Sequence, residues 1–275
     1  MAQIYSGKDV LRSAETAAIN KGAMPLPRLV LLGLAAGAYI ALGGGLASFM
    51  ASGMPGLTEG NPALVKLISG AFFPIGLILI VLVGGELFTG NVAYMSVGAF
   101  RGKVSMGQLL WNWLLVWCAN FLGALLCTYL FFELAFPGGL FASEPWHSAV
   151  VSTGEAKAGL PWGEAFVRGI GANWLVCLAL WLGNSSDSML GKLVGLWWPI
   201  MTFVALGFEH SIANMFYLPI ALLEGADFTL TDMLLDNLLP VTLGNIVGGG
   251  LFVALLYAYV YKERDKANSE LRTPN

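Results

Sequence analysis

An all-α integral membrane protein is the fold class this sequence predicts, with six transmembrane helices in two inverted three-helix repeats, helices two and five interrupted. Three observations carry that expectation. The 275-residue chain is 57% hydrophobic and only 11% charged, a balance outside the usual range of soluble domains. Six apolar segments reach the roughly 20 residues needed to cross a hydrocarbon core. The second and fifth are too long for one crossing, and both carry polar residues near their middle. A net charge of only −3, with no basic stripe in the interior, argues against nucleic-acid partners.

The elements follow in order. Residues 1–28 form a polar arm with Lys8, Arg12 and Lys21, and with apolar positions at Val10, Leu11, Ala14 and Ala18. That pattern reads as an amphipathic cytoplasmic helix, and the arm lacks the short apolar core and small-residue cleavage site of a signal peptide. The spans are expected at Leu29–Ala51, Leu64–Gly98, Leu109–Phe136, Ala165–Gly183, Leu193–Leu223 and Leu234–Tyr261. Pro62, Pro137, Pro161 and Pro219 punctuate ends or loops, where a missing N–H does little harm. Residues 262–275 form a charged tail, so residues 1–275 make one transmembrane domain.

With the N-terminus in the cytoplasm, the inner side collects Lys8, Arg12, Lys21, Arg28, Arg101, Lys103, Lys192, Lys262, Arg264, Lys266 and Arg272. The outer side keeps Lys66, Lys157 and Arg168. The asymmetry puts both termini in the cytoplasm. Trp111, Trp113, Trp146, Trp162, Trp197 and Trp198 fall near span ends, whereas Trp174 and Trp181 are expected between helices. Small residues at helical spacing, from Gly33 to Gly45 and from Gly244 to Gly250, predict close helix packing and an oligomer. Cys118, Cys127 and Cys177 stand singly, without metal-ligand spacing, and read as structural thiols.

The two interruptions match. "GGELFTGNVAYM" (Gly84 to Met95) and "GFEHSIANMFYL" (Gly207 to Leu218) both begin at glycine and both place an asparagine five residues after a glutamate. Glu86 pairs with Asn91, and Glu209 with Asn214. Pro74 and Pro199 recur ahead of them. An odd number of spans per half inverts the second half, and matched breaks mark a site near the bilayer midplane. Non-helical backbone is tolerated there only inside protein or beside a watery path.

Each buried glutamate needs partners, and the freed backbone N–H groups of the break are the nearest donors, which makes both residues loop scaffolding ahead of proton carriers. Asn91, Asn173, Asn214 and Asn245 can donate and accept at once, to tie broken helices or to line a path. His210 stands where the first repeat has phenylalanine or threonine, so the repeat does not require it. An imidazole at that depth reads as functional, and it can exchange a proton near neutral pH. Apart from Arg168 near the end of the fourth span, no arginine lies in a span, but half-helix dipoles aimed at the breaks can favour a small anion. From its residues alone Lys157 reads first as an exposed lysine paired with Glu155, and second as a cation gathering anions. A metalloenzyme would need clustered ligands, and the chain has only His147 and His210. A purely structural scaffold would not need paired polar breaks.

"GELFTGN" (Gly85 to Asn91), "NWLVCLALW" (Asn173 to Trp181), "GFEHSIANMF" (Gly207 to Phe216) and "VTLGNIVGG" (Val241 to Gly249), in this order and on the expected spans, make the chain similar to the formate/nitrite transporter family. The resemblance implies an aquaporin-like protomer in a homopentamer, one pore per protomer, in a bacterial inner (plasma) membrane, without cofactor, metal or enzymatic activity. By the resemblance, His210 is the central histidine and Thr89 its hydrogen-bond partner. Lys157 becomes the vestibule lysine. Glu209, Asn173 and Asn214 line the substrate pathway, and Phe73, Leu77, Leu87 and Phe203 form the apolar constrictions. It further implies passage of small weak-acid anions with protons. Phe208, where nitrite-type members often carry tyrosine and formate-type members phenylalanine, ranks formate ahead of nitrite and hydrosulfide; another small monocarboxylate, such as acetate or lactate, is the remaining alternative.

Overall fold

The computed structural model describes residues 3–261, so Lys262, Arg264, Lys266, Arg272 and the tail 262–275 lie outside the described residues. Among the described residues the regular secondary structure is all helical, apart from one isolated bridge between Ile4 and Ser186. The expected arm is α1 (Gly7–Gly22), opened by a capping box in which Ser6 and Asp9 satisfy each other's backbone N–H. Its predicted apolar stripe, Val10, Leu11, Ala14 and Ala18, is fully buried. Three of those residues pack with Ala93, Val97, Cys177 and Trp181.

α2 (Leu26–Ser52) matches the first expected span. A short α3 (Pro55–Gly60) leads to the second, which is divided twice, into α4 (Pro62–Phe72), α5 (Ile75–Leu82) and α6 (Phe88–Phe100). The extra division falls at Phe73–Pro74, beside a proline that cannot donate into a continuing helix. α7 (Met106–Cys127) runs on as π-helix over Thr128–Leu134. α8 (Trp146–Ala158), a helix where the sequence predicts only a loop, carries Lys157 in its last turn. α9 (Trp162–Asn184), α10 (Met189–Ala205) and α11 (Ser211–Leu223) follow, with Pro199 and Pro219 inside helices, so Pro219 does not mark an end. α12 (Leu239–Gly249) and α13 (Leu256–Val260) belong to one continuous helical stretch, Asp232–Val260, with π-helical turns at Asp232–Leu238 and Gly250–Leu255.

Among the described residues, five helical stretches are long and apolar enough to cross a membrane: Leu26–Ser52, Pro62–Leu82, Met106–Leu134, Trp162–Asn184 and Asp232–Val260. The fifth expected span is instead the two shorter apolar helices α10 and α11. Trp181 is buried as expected, but Trp174 is 45% exposed on the protomer surface.

The halves pack alike, with α2 chiefly against α7 and α9 chiefly against α12. Small residues set those distances. A Cβ on Gly37 would overlap the Asn120 carbonyl, and one on Gly248 the Ile170 carbonyl. Gly37→Ala is therefore expected to destabilise the detergent-solubilised protein by about 1–3 kcal/mol. Gly56→Ala, with open space around its Cβ, serves as the neutral control in the same thermal-unfolding measurement.

Candidate functional site

Both breaks begin at a glycine with positive φ, Gly84 at 114° and Gly207 at 72°, a conformation that side-chain-bearing residues rarely adopt. Past it the backbone is non-helical, and it is extended at Leu87 in the first break and at His210 in the second, where α6 and α11 start. Such a chain exposes helix-terminal N–H and C=O groups that must be satisfied inside the protein. Asn120 does this in the first break: its Oδ1 accepts from Phe88 N at 2.9 Å, and its Nδ2 donates to Glu86 O and Gly33 O, both at 2.8 Å. In the second break, Asn245 Oδ1 accepts from Ser211 N at 2.8 Å, while its Nδ2 donates to Glu209 O at 3.0 Å and Gly169 O at 2.8 Å. The two amides are counterparts.

The glutamates are duplicated in the same way, but their partners differ from those the sequence suggests. Glu86 Oε1 accepts from Lys21 Nζ at 2.7 Å and its Oε2 from Asn91 Nδ2 at 2.7 Å, and the same Nδ2 reaches Asn112 Oδ1 at 2.9 Å. Glu209 Oε1 accepts from Lys157 Nζ at 2.8 Å and its Oε2 from Asn214 Nδ2 at 2.6 Å, and that Nδ2 reaches Asn237 Oδ1 at 2.7 Å. The carboxylates thus hold ammonium and amide groups rather than the freed backbone N–H groups. A charge-assisted bond to an ammonium outweighs one to a neutral amide. Lys157 pairs with Glu209 and not with Glu155, whose Oε1 accepts from Asp227 N.

His210 breaks the correspondence. Aligning the glutamates and asparagines makes Leu87 its counterpart, not Phe88 or Thr89. His210 caps α11, its Nδ1 accepting from Ala213 N at 3.1 Å. A nitrogen that accepts carries no proton, so the neutral ring holds its hydrogen on Nε2. Nε2 lies 2.9 Å from Thr89 Oγ1 and donates to it. Thr89 O in turn accepts from Asn173 Nδ2 at 3.1 Å, and that nitrogen also donates to Asn245 O at 2.6 Å. The imidazole stacks on Phe203 at 5.7 Å, and Phe203 meets Phe73 edge-on at 5.7 Å.

Two cavities flank this pair. One, of about 210 Å³, is lined by Lys157, Phe73, Phe203, Phe208, His210 and Asn214. The other, of about 370 Å³, is lined by Lys21, Arg28, Leu77, Glu86, Leu87 and Asn91. The first touches α2 at Ser48 to Ser52 and the second at Arg28 and Leu32. At 1.5 Å per helical residue, Leu32 and Ser48 are about 24 Å apart along the axis. The cavities therefore lie toward opposite ends of the helix; Phe73 and Phe203 line the first and Leu77 and Leu87 the second, all four buried.

Nine of the ten sequence-derived site residues line a cavity or contact one that does. Asn173 lines neither and braces the Thr89 and Asn245 backbone. The sequence reading missed four contributors. Asn112, Asn120 and Asn237 were detectable as further amides within spans, two of them matched between the halves. Lys21 lies on the arm, in the last turn of α1 and five residues before α2, the place that Lys157 holds in α8 ahead of α9, and comparison of the two breaks alone does not reach it. Among the described residues no three His, Cys, Asp or Glu side chains are grouped to hold a metal ion.

Comparison with known proteins points the same way. The family model described as formate/nitrite transporter matches residues 8–259. A protein of Methanothermobacter thermautotrophicus called a probable formate transporter is 43% identical over 271 residues, covering 93% of this chain and 97% of that one. A solved structure described as an FNT family ion channel superposes with a TM-score of 0.84 at 30% identity, covering 92% of this chain and 98% of the other. Another, a pentameric formate channel with formate bound, gives a TM-score of 0.74 at 31% identity, covering 86% and 98%.

Proposed function

The chain belongs to the formate/nitrite transporter family, whose members here are channels and transporters rather than enzymes, and on that premise we propose that it passes small monovalent anions of weak acids, formate first, together with a proton. The observation that carries this reading is the buried Thr89–His210 pair, with His210 lining the first of two cavities, each cavity lined by a half-buried lysine that is paired with a buried glutamate. Lys157 and Lys21 gather the anion at the two ends. Between Phe73, Phe203, Leu77 and Leu87 the ion loses water, which disfavours its charged form and raises the acid's pKa. With His210 Nε2–H donating to Thr89 Oγ1, the threonine hydroxyl is left to donate its own hydrogen to the desolvated oxygen. Asn214 lines the Lys157 cavity, and its Oδ1 has no partner, which leaves an acceptor for the protonated acid.

By the same reading, five protomers assemble with one path each, as in the pentameric relative. The membrane is a bacterial plasma membrane with both termini in the cytoplasm. Phe208, which lines the Lys157 cavity with His210, favours formate over nitrite and hydrosulfide.

Stopped-flow flux into proteoliposomes tests this. Formate influx is expected to exceed that of nitrite, hydrosulfide, acetate and lactate, and to rise as the outside is acidified. Equal and negligible flux of all five through well-assembled protein would sink the proposal.

A further inference from the structure

We propose that Tyr217 and Tyr94 are positioning residues: their ring faces seat the ammonium groups of Lys157 and Lys21 and so set how strongly each cavity gathers anion. This rests on the reading of those lysines as the anion-gathering cations. Lys157 Nζ lies 5.1 Å from the Tyr217 ring centroid, and Lys21 Nζ lies 5.5 Å from that of Tyr94. Both are within the approximately 6 Å at which a ring face attracts a cation. Each tyrosine stands eight residues after the glutamate of its break, and each lines the cavity of its own lysine.

The lysines stand at matching places. Each lies in the last turn of a short helix, α1 or α8, five residues before the first long helix of its half, α2 or α9. Both meet the same pair of groups, a carboxylate oxygen and an aromatic face. The duplication therefore carries lysine, glutamate and tyrosine together to both cavities.

The physical requirement follows from the carboxylate. An ammonium held by Glu209 or Glu86 alone can pivot about that one contact and turn its remaining N–H donors away from the cavity. Asn214 and Asn91 already occupy the second oxygen of each glutamate. The ring supplies a second seat that carries no net charge, so the ammonium is fixed without being further neutralised. One of its three N–H donors goes to the glutamate, which leaves donors for an arriving anion. The hydroxyls orient the rings: Tyr94 Oη accepts from Asn184 Nδ2 at 2.8 Å, and Tyr217 hydrogen-bonds Ser48.

The test is the concentration dependence of formate flux in proteoliposomes of defined protein orientation, with Lys157→Met measured in parallel. Tyr217→Leu is expected to raise the half-saturating formate concentration about three- to tenfold on the Lys157 side, with maximal flux and the opposite side unchanged. Tyr94→Leu should do the reverse. Tyr217→Phe keeps the ring and should stay within about twofold of the native value. A Tyr217→Leu protein that saturates like the native one, beside a Lys157→Met protein that does not, overturns the inference alone. A phenylalanine variant as impaired as leucine also overturns it, because the hydroxyl would then be what matters. An unaffected Lys157→Met protein overturns both this inference and the vestibule reading beneath it. If the leucine variant does not assemble, Tyr217→Trp decides: the stronger cation seat should lower half-saturation, and an unchanged value is fatal.

Discussion

Formate flux through a His210→Phe variant is expected to fall at least about tenfold, while His210→Asn retains a larger share. Phenylalanine removes two hydrogen bonds at once. The first is the cap on α11, where Nδ1 accepts from Ala213 N; losing a cap costs about 1 kcal/mol of helix stability. The second is the donor to Thr89 Oγ1. Without it the hydroxyl can turn its hydrogen away from the path, and the desolvated anion loses a partner worth about 1.5–3 kcal/mol, or roughly 10- to 150-fold in rate. Asparagine can cap the helix and still present an N–H, so it separates the donor from the imidazole. The readout is initial formate flux at matched protein content. Native flux through the phenylalanine variant would remove His210 from the mechanism.

The same geometry bears on who carries the proton. Charging the imidazole would place a proton on Nδ1, which now accepts a backbone N–H, and would turn that contact into two donors facing one another. On the proposed reading the ring therefore stays neutral and donates through Nε2, and the proton comes from water. If so, the asparagine variant keeps the native dependence of flux on pH, even at a reduced rate. A changed pH profile in that variant would return the proton to His210.

How far these roles were legible depends on where each partner lies in the chain. The breaks are plain because glycine, glutamate and asparagine recur at one spacing, and both Gly84 and Gly207 take the positive φ that such a turn needs. The arm is legible because its four apolar residues share a helical face, and all four are buried. What the glutamates bind was not legible. Their lysines are 65 and 52 residues away, and proximity along the chain favoured backbone groups and Glu155 instead. α8 was read as loop because a short polar helix carries neither a span's hydropathy nor a long periodic stripe. Its terminus nonetheless delivers Lys157 to the cavity. The counterpart of His210 was misjudged by one or two positions for lack of a contact to anchor the comparison. The matched pairs Glu86–Asn91 and Glu209–Asn214 supply that anchor and point to Leu87. The π-helical turns, such as Gly250–Leu255, left no signal in composition or spacing.

Removing Glu209 should damage the fold more than removing its lysine. In a Glu209→Ala protein, Lys157 keeps its charge at a position where its side chain is only 17% exposed, and Asn214 loses the acceptor of its amide. Breaking one side of a buried pair costs about 3–5 kcal/mol, because the remaining charge stays uncompensated. The cavity lets the ammonium reach some water, which puts the expectation near the lower figure, about 3 kcal/mol. The thermal midpoint of the detergent-solubilised assembly should therefore drop by several degrees. Adding Lys157→Met should recover most of that loss, since the double variant buries no charge. The recovery separates stability from transport: the rescued protein should fold well and still need higher formate to saturate, for want of its vestibule cation. Glu86 and Lys21 should behave in the same way at the other end, with side chains 6% and 14% exposed. If Glu209→Ala is as stable as the native protein, Lys157 has swung fully into water, and the paired networks do not hold the broken helices in place.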